Sequence, residues 1–387
     1  MREPYAKLPL SKVASIERGK FSARPRNDPK YYGGEIPFLQ TGDIARAGRV
    51  IQGWTQTLNE LGLGVSKMFP RGTIFMSIAA NIGDVAISGF DAACPDSVVA
   101  VKPRNGFDPE WLFQSLKFSK NDLAALSTQN AQANLSLEKI EPFKISVPPL
   151  PEQRKIAEIL RTWDEALEKL AALRAAKARR LEGLAARLIY DEQTERLHLR
   201  DFLSEVSTRN RGQQVERVLS VTNSAGFVLA EDQFAHRVAS ADLSNYKIVR
   251  RGQYAYNPSR INVGSIARLD AWEDGALSPM YVVFQVCDEL DSDFFGHWLR
   301  SAEARQRIAL AAQGSVRETV SFSDLGSILI PVPSIERQRA ISRALNAGRD
   351  EIALLDAEIE ALTRQKRGLM QKLLTGEWRV NTTEVAQ

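Results

Sequence analysis

Two long stretches of the chain place apolar residues at alternating intervals of four and three, the spacing of a heptad seam. In the second stretch the seam reads Ile341, Leu345, Gly348, Ile352, Leu355, Ile359, Leu362, Lys366, Leu369 and Leu373. The first has Ile156, Leu160, Trp163, Leu167, Leu170, Arg174, Lys177, Leu181, Leu184 and Leu188 at equivalent places, so charge interrupts it at the centre. Both are rich in Ala, Leu, Glu, Lys and Arg, and each follows a proline stop, Pro148-Pro149-Leu150-Pro151 or Pro331-Val332-Pro333. The pattern predicts helices over about 152–190 and 336–374 that pair as a coiled coil.

Elsewhere the pattern changes to short apolar runs punctuated by Gly, Pro, Asn and Asp. Strands are predicted at Thr73–Ile78 and Val85–Ile87, with a helical stretch near 111–126. The same style returns later, with strands at 253–256 and 281–286 and a helical stretch near 294–311. Each of these regions is mixed α+β. The expected organisation is a first globular domain over 1–147, a helix region over 148–195, a second globular domain over 196–332, and a second helix region with a tail over 333–387.

The two halves are copies. Residues 148–160, Pro-Pro-Leu-Pro-Glu-Gln-Arg-Lys-Ile-Ala-Glu-Ile-Leu, align without a gap on 333–345 at an offset of 185, and the match continues through Gly183-Leu184 and Gly368-Leu369. The globular parts echo one another more loosely: Arg71-Gly72 corresponds to Arg251-Gly252, and Ile82-Gly83 to Val263-Gly264. Antiparallel pairing about a pseudo-twofold axis gives a register with Ile156 against Leu373, Leu181 against Gly348 and Trp163 against Lys366. At a rise of ~1.5 Å per residue the first seam spans about 48 Å, a spacer suited to reading two separated half-sites on a DNA duplex.

Composition narrows the class of protein. With 387 residues, 44% hydrophobic and 25% charged, the chain has the make-up of an ordinary soluble protein of two or three domains. It has neither an apolar run near 18 residues nor a leader at Met1, so no membrane span or secretory signal is expected. Cys94 and Cys287 lack CxxC spacing, which favours buried thiols in a reducing cytoplasm over a disulfide or a metal site.

Net charge is only +4, yet it clusters on loops. Within 196–335, 14 of 15 basic side chains are arginine, whose planar fork matches phosphate and the edge of guanine. A charge run is ordinarily a solvated face, so the candidates for DNA contact are limited to long polar side chains on loops. In the first domain these are Lys20, Arg24, Arg26, Gln40, Asn81, Gln129, Asn130 and Gln132. In the second they are Arg209, Arg211, Asn257, Arg260, Gln313 and Arg317. Gln132 and Arg317 fall at equivalent repeat positions.

Catalytic motifs are weak. Asn257-Pro258-Ser259-Arg260 is similar to the Asn-Pro-Pro-Tyr signature of adenine methyltransferases but lacks the second proline and the aromatic. The three histidines, His198, His236 and His297, are scattered without ligand spacing, and neither a Walker loop nor a Gly-x-Ser-x-Gly elbow occurs. No catalytic residue and no metal ligand is assigned.

Several runs together carry a family resemblance: 148–160 as quoted, Gly19-Lys20 followed by Tyr-Gly-Gly-Glu-Ile-Pro-Phe-Leu-Gln-Thr-Gly-Asp-Ile at 32–44, Tyr254-Ala255-Tyr256-Asn257-Pro258, and Ile-Asn-Val-Gly-Ser-Ile at 261–266. Over nearly its whole length the chain resembles the specificity subunit of type I restriction–modification enzymes. That resemblance implies two target recognition domains, each reading half of an interrupted sequence in the major groove of double-stranded DNA. It implies two conserved-region helices that set the spacer and dock two methyltransferase (modification) subunits. It also implies a subunit without chemistry or cofactor of its own, S-adenosylmethionine belonging to the methyltransferase partner and ATP and Mg to the restriction/translocase partner. Ser334-Ile335-Glu336-Arg337-Gln338 departs from the Leu-Pro-Glu-Gln of the first helix, so docking at the two ends need not be identical. Two other readings remain: a specificity subunit of a related system with methylation and cleavage in one partner chain, and a coiled-coil scaffold with no DNA role. An adjacent methyltransferase gene separates the scaffold from the rest.

Overall fold

A computed structural model of the protein describes residues 5–127, 134–190, 194–233, 242–313 and 319–382. They form two units, the first from 1–173 with 355–387 and the second from 174–354. Each unit thus contains one globular part, the adjoining half of one long helix and the opposite half of the other. The long helices are Leu150–Ile189 and Ile335–Thr375. Pro151 lies inside the first turn, where its missing N–H has no intrahelical carbonyl to meet.

The first unit is built on a five-stranded sheet in the order Ala14–Arg18, Val98–Pro103, Ile74–Ser77, Val85–Ser88, Val50–Ile51. All neighbours are antiparallel except the last pair. Side chains alternate across it. Val99, Val101, Ile74 and Met76 join a core with Trp111, Leu112 and Leu116, whereas Val98, Ala100 and Phe75 join another with Leu39, Ile44 and Phe69. Apolar layers cover both faces, which is why these strands read as continuous apolar runs.

The second unit repeats the plan with four antiparallel strands in the order Leu203–Val206, Val282–Val286, Tyr254–Tyr256, Ile266–Arg268. Tyr254, Tyr256 and Phe284 face Phe294, Phe295 and Trp298; Ala255 and Val283 face Leu219, Val249 and Leu277. The glycine pairs matched in sequence are structural pairs as well. Gly72 and Gly252 have φ of 82° and 83°, and Gly83 and Gly264 have 82° and 95°, a left-handed backbone that excludes most side chains.

Each helical stretch expected in the globular parts is divided in two. Residues 111–126 resolve into Pro109–Phe118 and Lys120–Ala125, with Ser119 at ψ 6° between them. Residues 294–311 resolve into Ser292–Leu299 and Ala302–Gln313, where the Ser301 hydroxyl accepts from Ala304 N at 3.1 Å and starts the second helix.

The long helices run antiparallel within each unit. In the second, Lys177 Nζ meets Glu351 at 2.5 Å, and a Cβ built on Gly348 would stand 2.7 Å from Leu181 Cδ1. In the first, Lys366 meets Asp164 and Arg379 meets Glu152, while Ile156, Leu160, Leu373 and Leu374 share the core. Ile156, Leu160, Ile341, Leu345, Leu355 and Leu373 are buried; Trp163, Leu167, Leu170, Leu181, Leu188, Ile352, Ile359, Leu362 and Leu369 are half-buried. Leu184 corrects the seam. It is 38% exposed, because near the globular part the buried stripe continues through Ala185 and Ile189 instead. Likewise Lys366 finds Asp164 beside Trp163, since a buried ammonium requires a carboxylate more than an indole face.

Candidate nucleic-acid interface

In each unit a buried amide at the helix start ties the globular part to its helix. Gln153 Oε1 accepts from Asp108 N at 2.9 Å while its Nε2 donates to Pro148 O at 2.9 Å. Gln338 repeats both bonds, from Asp291 N at 2.7 Å and to Pro333 O at 2.8 Å. Asp108 and Asp291 in turn cap the following helices, accepting from Trp111 N and Phe294 N at 2.9 Å each. The joint was invisible as a role in the sequence, although an unchanged glutamine within an aligned helix start was its signal.

Beyond the joint the two units diverge. In the first, the Asp164 carboxylate takes Lys366 Nζ at 2.6 Å, Gln114 Nε2 at 2.7 Å and Lys117 Nζ at 3.4 Å. Burial alone would raise its pKa, but Lys117, Lys366 and Gln114 outweigh it and hold the carboxyl below the usual range. Burial and the like charge of Lys117 push Lys366 down, so two cations compete for one anion. Arg49 grips Glu110 at 2.8 and 2.7 Å. In the second unit His297 Nε2 lies 2.8 Å from Asn346 Oδ1, and Asn346 Nδ2 donates to Asp293 at 2.8 Å. Burial, assisted by Arg300 and Arg349, lowers the imidazole pKa.

Among the described residues, most of the candidate DNA-contacting side chains occupy surface loops held by these cores. Lys20, Arg24 and Arg26 lie on the loop after Ala14–Arg18, which Phe21 pins into a cluster with Phe38 and Leu58. Lys20 is exposed. Arg24 Nη1 donates to Ala23 O at 2.7 Å, and Arg26 pairs with Asp96 at 2.6 Å. Gln40 sits at the head of Thr41–Arg46 with its Nε2 on Gln56 at 3.0 Å. The Phe21–Phe38 ring contact at 5.1 Å brings Gln40's segment to this same loop.

Asn81 is exposed on the turn between Ile74–Ser77 and Val85–Ser88, beside the Ala79–Asn134 bridge. Gln129, Asn130, Gln132 and Arg317 lie outside the described residues, as does the side chain of Gln313, the last residue of its helix. In the second unit Arg209 Nη1 donates to Asn245 O at 2.6 Å, and Arg211 is exposed on the next turn. Asn257 is buried, with 8% of its surface exposed, and its Oδ1 accepts from Ser259 N at 3.0 Å, so it shapes its own turn; Arg260 is exposed beyond it. Val320 N donates to Pro258 O at 3.0 Å, which brings this turn to the chain that follows 314–318.

The chain is a duplicated α+β unit on paired helices, with basic loops on both copies. Residues 3–176 match the type I restriction modification DNA specificity domain. The chain is 20% identical over 335 residues to the type I restriction enzyme MjaVIII specificity subunit of Methanocaldococcus jannaschii, covering 78% of this chain and 77% of that protein. It is 30% identical over 80 residues, 21% of this chain and 20% of the other, to the EcoprrI specificity subunit of Escherichia coli. A crystal structure of a type I restriction–modification S subunit from M. genitalium shares the fold with a TM-score of 0.61 at 16% identity, covering 96% of both chains. The chain is thus similar to the specificity subunits of type I restriction–modification systems. Among its described residues no helix is long and apolar enough to cross a membrane.

Proposed function

We propose that each globular part reads one half of an interrupted DNA sequence and that the helices set the interval and dock two methyltransferase subunits, with restriction/translocase subunits joining the same complex. The observation that carries this reading is the repeated Gln153 and Gln338 joint beneath unlike basic loops: the mounting is the same and the reading surface differs. Two unlike half-sites require that combination. Chemistry resides in the partners, S-adenosylmethionine with the methyltransferase and ATP with Mg in the restriction subunit; this chain supplies base readout and phosphate contacts.

The test is a genome-wide map of methylated adenines with and without the gene, followed by alanine substitutions in the loops. A base-reading arginine changes which sequence is methylated, whereas a phosphate contact weakens binding uniformly. If Arg24, Arg26, Arg209 and Arg211 all become alanine with no loss of affinity at physiological salt, the loop assignments fail.

A further inference from the structure

The units differ where their frameworks are most alike. The 185-residue helix offset carries Asp164 onto Arg349 and Lys366 onto Leu181. Aligning the capping aspartates Asp108 and Asp291 carries Gln114 onto His297 and Lys117 onto Arg300. The first unit therefore has a carboxylate among cations, and the second has cations where that carboxylate would stand.

The second unit leaves a cavity of about 730 Å³ at this place, lined by Arg268, Arg300, Arg305, Arg349, His297 and Asn346 among others. Its two aspartates are already engaged: Arg268 donates to Asp270 at 2.7 Å and to Asp293 at 2.6 Å. Arg300 Nη1 donates to Gly296 O at 2.8 Å and Arg305 Nη1 to Arg300 O at 2.9 Å, bonds that orient both guanidiniums and leave most of their five donors unused. Arg300, Arg305 and Arg349 are exposed to solvent on the wall and take no carboxylate among the described residues. Although part of the Arg300 side chain reaches solvent, desolvation by its surroundings and the charges of Arg349 and Arg268 lower its guanidinium pKa, against opposing contributions from Tyr254 and Asp270.

We propose that this cavity binds a phosphate group through Arg300, Arg305 and Arg349, in the place that the Asp164 carboxylate fills in the other unit. Guanidinium forks match a phosphate's oxygens, and the space exceeds what one carboxylate needs. The phosphate comes either from the backbone of bound duplex DNA, which rests on the function proposed above, or from a free phosphate.

Arg349→Asp installs the first unit's carboxylate and is the decisive variant; Arg300→Gln with Arg305→Gln decides if that protein does not melt like the wild type. Full-length chain is titrated with inorganic phosphate by phosphorus NMR and with target and non-target duplexes across a salt series. Loss of a backbone contact reduces the salt slope by about 0.9 per phosphate and weakens both duplexes about tenfold alike, which assigns the site to DNA. Loss of inorganic phosphate binding with both duplexes unaffected assigns it to a free phosphate. Unchanged binding in both arms overturns the proposal, as does loss of methyltransferase assembly alone, which would mark an acidic protein partner. If the wild type binds no duplex, the DNA reading fails while the inorganic phosphate arm still tests the cavity.

Discussion

Replacing Asp164 by alanine removes the carboxylate with which the buried Lys366 ammonium ion-pairs. The side chains of Asp164 and Lys366 are 9% and 6% exposed, so water cannot take over for either partner. The dependence is unequal. Lys366 ion-pairs with Asp164, whereas Asp164 also has Gln114 at 2.7 Å and Lys117 at 3.4 Å. Stranding the lysine is therefore expected to cost about 3–5 kcal/mol, the range for breaking a buried pair from one side. Lys366→Met leaves the carboxylate with its other partners and is expected to cost about 1–2 kcal/mol. Lys117 is 35% exposed, and Lys117→Ala should cost less than about 1 kcal/mol.

Thermal unfolding of the full chain measures all three. For a unit of this size each kcal/mol moves Tm by about 2–4 °C, so Asp164→Ala should lower the melting of the first unit by about 6–20 °C. A double variant, Asp164→Leu with Lys366→Met, should recover most of the loss, because a well-packed apolar pair avoids the desolvation of both charges. The carboxyl has its pKa depressed in the folded state, so its contribution is present above the ordinary value of about 3.9 and is lost as pH falls through that value towards the folded one. Asp164→Asn should flatten stability against pH in that acid window. If Asp164→Ala melts no lower than Lys117→Ala, the carboxylate does not hold the helix pair.

Gln153→Leu and Gln338→Leu each leave a partly buried backbone N–H and a backbone C=O without the amide partner and should each cost about 1–3 kcal/mol; calorimetry should show the first unit affected by one and the second by the other. Gly348→Ile drives a branched side chain into Leu181 and should cost about 1–3 kcal/mol, recovered by adding Leu181→Ala; equal melting of the single and double variants would refute the register. Glu152→Gln weakens the hold on Arg379 and on the Tyr5 hydroxyl, whose bond is 2.9 Å, and should speed amide exchange at 376–382 without altering exchange in 196–332.

The helices were legible because a heptad seam encodes both the element and its partner. Leu181 against Gly348 could be read from size alone, and the close approach of the two bears it out. Trp163 against Lys366 missed the chemistry of that position, since the ammonium takes the adjacent Asp164. Leu184 went astray because a strict heptad is not the helix's own 3.6-residue period, and near the globular core the apolar stripe follows the latter. The strands were legible as runs and not as faces, both faces being covered. The DNA-facing residues were the least legible. A loop arginine such as Arg26 satisfies itself on Asp96, and Asn257 closes its own turn, so sequence separates poorly what a side chain does within the fold from what it could do to DNA.

Gln153 and Gln338 retain one geometry, whereas Asp164 and Arg349 have opposite charge at matched positions, and the physics of each group accounts for the difference. An amide bonded to two backbone groups answers to main-chain geometry that both copies share, so any change at either position leaves buried polar atoms unmet. A charged side chain answers to whatever stands opposite, and the opposing charge can come from the same chain or from a ligand. In the first unit Lys366 and Lys117 supply it, and the space is closed from within. In the second, Leu181 at the place of Lys366 leaves Arg349 beside Arg300 with their attraction directed outward. Duplication thus preserves the joint that orients a reading domain, while the neighbouring charges are free to diverge into an internal brace on one side and an anion site on the other.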